Sequence, residues 1–151
     1  MSNENYKLVH TLPHLGYYSN DGSVRATVKV YANESHINLQ HNASDIDGPY
    51  SFDFIIPRRA ALWVADSIEN KFWKSPENGG LPLDQHHIKE EIDGEIIKLN
   101  RVMTVARPGQ KGFDIYNLSR KVPDLEDFPM EFNTPDIMLI EGRLLKILRE
   151  L

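Results

Sequence analysis

The sequence predicts an α+β fold of two related halves, each an antiparallel β-sheet packed against one helix. Three observations predict it. Several stretches alternate apolar and polar residues with the two-residue period of a half-buried strand, as where Val24, Ala26, Val28 and Val30 interleave with Arg25, Thr27, Lys29 and Tyr31. Two helix-like stretches follow a strand-like one through a proline, at Phe54-Ile55-Ile56-Pro57 and at Phe132-Asn133-Thr134-Pro135. Asp-Gly opens an alternating strand twice, at Asp21-Gly22 and at Asp93-Gly94. The two Asp-Gly pairs lie 72 positions apart and the two prolines 78, a difference that one longer loop absorbs. An internal duplication follows, with an unduplicated α+β domain as the competing reading.

In chain order, Tyr6 to Leu12 reads as a first strand ended by Pro13 and Gly16, and Val24 to Tyr31 as a second. The turn Ala32-Asn33-Glu34-Ser35 leads to His36–His41, with Ile37 and Leu39 facing inward. Asn42 to Gly48 reads as a polar connection, and Tyr50, Phe52 and Phe54 as the alternating aromatics of a strand packed under a helix. That helix starts at Pro57 and runs to about Trp73, with Ala61, Val64, Ala65, Ile68 and Phe72 on one face. Arg58-Arg59 oppose the helix dipole, and local pairing with Asp53 or Asp66 is expected to offset this. Residues 1–74 thus form the first half, 84–151 the second, and the Pro/Gly/Asn cluster at 75–83 the linker.

The second half opens with His87 to Ile92, the Asp93-Gly94 turn, and a strand from Glu95 to Val105 with Ile97, Leu99, Arg101, Met103 and Val105 on one face. The turn at Arg107–Gly112 feeds a strand over Phe113–Leu118. Asp124 to Phe128 reads as irregular, and Met130 to Asn133 as a last short strand. Thr134-Pro135-Asp136 reads as a helix start with a hydroxyl cap, and Ile137, Ile140, Leu144, Leu148 and Leu151 as the helix's buried stripe.

Composition bounds the function. With 151 residues and 40% hydrophobic residues the chain suffices for one cored domain, and no apolar run approaches the roughly 18 residues of a membrane span. The polar N-terminus carries no signal peptide and there are no cysteines, so a cytoplasmic setting is expected. A formal charge of -5 is the wrong sign for a strong duplex binder, so a nucleic-acid site has to be a local patch. Arg25, Lys29 and Tyr31 from one strand, with Arg101, Arg107, Lys111 and Tyr116 from the second half, supply the cations and rings that hold a single strand. The competing reading is that these residues form the ordinary solvated face of strands. The histidines lack the spacing of metal ligands, and neither a phosphate loop nor a nucleophile elbow occurs, so no metal, cofactor or catalytic residue is expected.

Arg107-Pro108-Gly109-Gln110-Lys111-Gly112-Phe113-Asp114-Ile115 resembles the pattern Lys-Pro-Gly-x-Lys-Gly-Ile-x-Leu, the basic turn and last strand of the transcriptional positive-cofactor family of single-stranded-DNA-binding coactivators. A duplicated strand-rich unit ending in a helix is also similar to the Whirly family, which carries that fold within one chain. The resemblance implies a non-enzymatic single-stranded DNA or RNA binder acting in transcription regulation. Two departures stand beside it. In the coactivators the helix follows the Lys-Gly strand directly, whereas here 117–129 intervene, and the first half offers acidic Asp47-Gly48-Pro49-Tyr50 as counterpart. The alternative function is a protein-interaction or regulatory module that forms homo-oligomers through exposed strands and through Trp63 and Trp73, which lie off the apolar stripe.

Overall fold

A computed structural model describes residues 5–17, 25–123 and 125–151. The Asn20-Asp21-Gly22 turn and Val24 lie outside the described residues. The first antiparallel sheet has the order β1 (Lys7–Pro13), β2 (Arg25–Ala32), β3 (His36–Asp45), β4 (Gly48–Phe52), with β5 (Ile55–Pro57) beside the other end of β3. The second has the order β6 (His87–Ile92), β7 (Glu95–Val102), β8 (Gly112–Val122), β9 (Leu125–Pro135). Helix α1 (Arg58–Ser67) follows Pro57 and continues through a wider turn to Phe72; α2 (Asp136–Ile140) and α3 (Leu144–Glu150) follow Pro135.

Turn chemistry explains the register. Asp93 and Gly94 both adopt positive φ, 50° and 83°, the geometry whose twist matches a two-residue hairpin, so β6 and β7 pair from Ile92 opposite Glu95 onward. At Arg107–Gln110, Pro108 stands before Gly109 at φ 77°, and Gln110 N donates to Arg107 O at 3.2 Å, closing a tight turn. Between β4 and β5 the strand breaks at Asp53-Phe54. The buried Asn38 bridges the break: its Oδ1 accepts from Phe54 N at 3.0 Å and its Nδ2 donates to Asp53 Oδ1 at 2.9 Å. A buried amide so satisfied offsets ladder bonds that the break removes.

Several boundaries differ from the sequence reading. β3 runs through the expected connection to Asp45, because Ala43 continues the inward row of Ile37 and Leu39 while Asn42 and Ser44 face out. β8 extends to Val122, and β9 takes in residues expected to be irregular, bulging where Asn117 and Lys121 are matched to Met130 and Pro129. The Lys-Gly strand is therefore third in its sheet, and a whole further strand separates it from the helix. Thr134 lies in β9 and makes no capping bond, and the last helix breaks at Gly142 and Arg143, the latter at φ 66°. That break rotates the stripe: Met138, Leu139, Leu144, Ile147 and Leu148 are buried, whereas Ile140 is 62% exposed.

One core joins both sheets. Val28, Val30, Ile37 and Leu39 from the first, and Ile97, Leu99, Phe113, Ile115 and Phe132 from the second, pack with Ala61, Val64, Ala65 and Ile68 of α1 and with Leu144 and Leu148 of α3. The segment after α1 reaches the second sheet, with Phe72 and Trp73 ring centroids 5.4 Å and 6.3 Å from that of Phe113. Trp73 thus contacts the other half, and Trp63 also packs against the core. Arg59 pairs with Asp93 across the halves, at 2.8 Å and 3.1 Å, in place of the expected local acids, and Arg58 donates to Asn33 O at 2.7 Å. Asn117 Nδ2 donates to Ile55 O at 2.8 Å. No helix among the described residues is long and apolar enough to cross a membrane.

Candidate functional site

Of the seven residues expected to bind a strand, six occupy three separate surfaces and the seventh, Arg101, faces inward. Arg25, Lys29 and Tyr31 share the outward row of β2, where Lys29 and Tyr31 are matched to Gln40 and Asn38 of β3. Arg107 and Lys111 lie exposed at the β7–β8 turn, whose Gln110 Nε2 donates to Gly16 O at 3.1 Å and so ties it to the first half. Tyr116 sits on the outer face of the second sheet between Lys98 and Glu131. Arg101 belongs to the inward row of β7 with Ile97 and Leu99. Its guanidinium grips the Asp136 carboxylate at 2.6 Å and 2.9 Å and lies 4.7 Å from the Phe113 ring centroid. There it anchors the start of α2.

Between β4 and β9 the two sheets leave an open groove of about 620 Å³ walled largely by rings. Tyr50 and Phe52 come from β4, Phe128 and Phe132 from β9, and Tyr17 from the β1–β2 connection. β4 is matched to β3 so that Phe52 stands opposite His41 and Tyr50 opposite Ala43, which places both rings on the groove side. Tyr50 is 40% exposed, Phe52 55% and Phe128 59%, so ring faces remain open. Tyr50 and Phe52 meet edge to face at 5.6 Å.

Below the groove lies a pair of histidines. His14 Nδ1 and His41 Nδ1 are 2.8 Å apart, so one ring must donate and the other accept. The His14 ring stacks on Phe132 at 5.5 Å with 3° between planes, and Tyr17 lies 4.1 Å away. Burial, reinforced by His41, pushes His14 down to about 3, and burial also lowers His41. The pair is neutral at pH 7. Tyr17, raised by burial and then by the Asp114 and Glu131 carboxylates, keeps its proton and donates to Asn133 O at 3.2 Å.

A second polar cluster closes the other contact between the sheets. Glu95 of β7 accepts from Arg120 Nε at 2.6 Å and Asn117 Nδ2 at 3.0 Å, and its Oε2 lies 2.7 Å from His36 Nε2. Burial by itself would raise Glu95, but these hydrogen bonds outweigh it and hold the carboxyl at about 2. Among the described residues no group of three or more His, Cys, Asp or Glu is placed to hold a metal.

The groove escaped the sequence reading because its parts are far apart in the chain. Alternation marks Tyr50 and Phe52 as aromatics of a half-buried strand packed under a helix, and Phe128 falls in a stretch that reads as irregular. One usable signal was present: rings at 50 and 52 alternate with Ser51 and Asp53 directly after a tight turn, a pattern that suits an exposed edge as well as a covered one. The sequence matches no family model and no curated protein.

Proposed function

We propose that the protein is a non-enzymatic binder of single-stranded nucleic acid, which stacks bases on the rings of the β4–β9 groove and leaves the phosphates at its rim. The observation that carries this reading is the exposure of Tyr50, Phe52 and Phe128 around an open groove held by two sheets. Base stacking on an aromatic side chain contributes about 1–3 kcal/mol per base and suits any base. One cation stands beside the groove, since Lys121 is matched to the groove residue Pro129 in β9, whereas Arg25 lies with Lys29 and Tyr31 on the outward row of β2. Lys29, Tyr31, Arg107 and Lys111 extend the path outside it.

Two features favour the family resemblance: the last strand of each sheet, β5 and β9, ends in a proline and runs into a helix, as in a duplicated unit, and the Arg107–Gly112 turn keeps its basic residues exposed. Two features depart from it: β5 returns to pair with β3 where the second sheet is a plain meander, and β9 stands between the Lys-Gly strand and the helix. Association with a protein partner or a second copy is the other reading, favoured by Leu125 and Phe128, which stand 51% and 59% exposed on the free edge strand β9.

Fluorescence anisotropy of a labelled single-stranded oligonucleotide, with sedimentation to follow the protein's mass, tests both. With two or three phosphates neutralised, the logarithm of affinity should fall with that of salt at a slope of only about -1.4 to -2. Phe52→Ala and Phe128→Ala should each weaken binding about 5- to 150-fold. Absence of binding at 50 mM salt sinks the nucleic-acid reading, and self-association abolished by Phe128→Ala would support the other.

A further inference from the structure

We propose that His41 contacts the ligand directly, donating from Nε2 to an acceptor on a stacked base, and that His14 beneath it is the positioning residue that fixes the proton on that nitrogen; the inference rests on the nucleic-acid reading above. The two rings share one hydrogen bond between their Nδ1 atoms, at 2.8 Å, and two arrangements satisfy it. If His41 donates, His14 carries its own proton on Nε2. If His14 donates, its Nε2 is a bare lone pair and the proton of His41 sits on Nε2. His14 is wholly buried, and its Nε2 has no partner among the described residues. A buried N–H without an acceptor is the rarer of the two defects, so His14 is the donor. Burial keeps both rings neutral at pH 7, which leaves one proton to each. The second nitrogen of His41, a residue of the groove lining, then carries the proton.

The strand register puts this donor among the rings. His41 stands in the inward row of β3 with Ile37, Leu39 and Ala43, opposite Phe52 of β4. Its ring centroid lies 6.4 Å from that of Phe52 with 20° between planes, and 6.3 Å from that of Tyr50. A base stacked on Phe52 runs nearly parallel to the imidazole. The N–H of the one and the acceptors of the other both lie in their ring planes, so the two edges can meet. The other polar side chains of the lining behave differently. Tyr50 and Ser51 carry hydroxyls that rotate to donate or accept, the Tyr17 hydroxyl is committed to Asn133 O, and the Asn133 amide donates to Asp114 and Glu131. Asp53 and Glu131 hold their carboxylates on the outward rows. Among the described lining residues, His41 alone keeps an uncommitted N–H. Every base presents a carbonyl oxygen or ring nitrogen as acceptor, so the contact adds affinity without choosing among bases.

The first arm of the test needs no variant. In nitrogen–proton NMR correlation spectra of the folded protein at pH 8, His14 should show its proton on Nδ1 and His41 on Nε2; the reverse pattern overturns the positioning role. The second arm compares a twelve-residue oligothymidine with the same strand built from difluorotoluene, an isostere of thymine that stacks but is a poor acceptor. The ratio of thymine to isostere affinity should fall about fivefold on His41→Phe, which keeps a ring in the groove floor and removes the N–H. Taking the ratio cancels differences in stacking and in stability. His14→Asn, which retains an amide N–H toward His41, should hold the ratio near that of wild type, whereas His14→Phe should lower it. An unchanged ratio in His41→Phe, with Phe52→Ala still weakening both strands, overturns the contact and leaves the binding function standing. Failure of both strands to bind removes the nucleic-acid reading and this contact with it.

Discussion

Lowering the pH from 7 to 5 should destabilise the fold by about 2 kcal/mol through His14 alone. The ring is fully buried, enclosed by Phe132, Tyr17 and His41, and its Nε2 has no partner among the described residues. An unfolded histidine titrates near 6.5, whereas burial and the neighbouring imidazole hold His14 at about 3. Between those values the unfolded chain binds the extra proton, so stability is complete above pH 6.5 and falls as the pH drops toward 3. At pH 5 the unfolded ring is protonated about thirty to one, and 1.36 kcal/mol per pKa unit gives a loss of about 2 kcal/mol, growing to about 4 kcal/mol at pH 3. His41, lowered by burial too, adds in the same direction. Urea unfolding followed through Trp63 and Trp73 fluorescence at pH 8, 7, 6 and 5 reads this directly. With an m value of about 2 kcal/mol/M, the midpoint should fall by about 1 M between pH 7 and 5. His14→Phe should flatten most of that dependence. An unchanged midpoint in the wild type, or the full dependence surviving in His14→Phe, refutes the reasoning.

Two further substitutions probe the scaffold. Glu95→Ala strands Arg120 and His36 at the joint between the sheets and should cost about 3–5 kcal/mol, seen calorimetrically as a fall of roughly 10 °C in Tm. Gly112→Ala places a methyl group against the Thr134 carbonyl oxygen and the Pro135 backbone, so β8 and β9 must separate there; circular dichroism should show a loss of at least about 2 kcal/mol in unfolding free energy.

What could be read from the sequence was whatever local geometry dictates. Asp93-Gly94 and Pro108-Gly109 announced their turns because few other residues accept those backbone angles, and the inward rows of β2 and β7 followed from alternation. The failures have a different origin. Alternation puts Arg101 in one row with Ile97 and Leu99, yet its role depends on Asp136, thirty-five positions away, which receives the charge inside the sheet. The pairing of His14 with His41 and the meeting of Tyr50 and Phe52 with Phe128 depend on how two sheets approach each other, which no strand period encodes. The break at Gly142-Arg143 was hidden because an apolar stripe with helical spacing runs straight through it.

The contact of Phe72 and Trp73 with Phe113 also sets a condition on synthesis. These rings emerge from the ribosome about forty positions before the residue that covers them, an interval of roughly 2–8 s at ordinary elongation rates of 5–20 residues per second. For that time the nascent first half carries an uncapped apolar surface at the end of its helix. Slow codons placed between 74 and 113 would lengthen the exposure and favour aggregation over the native product. Fragments cut within 75–83 would be insoluble apart and recover only when mixed.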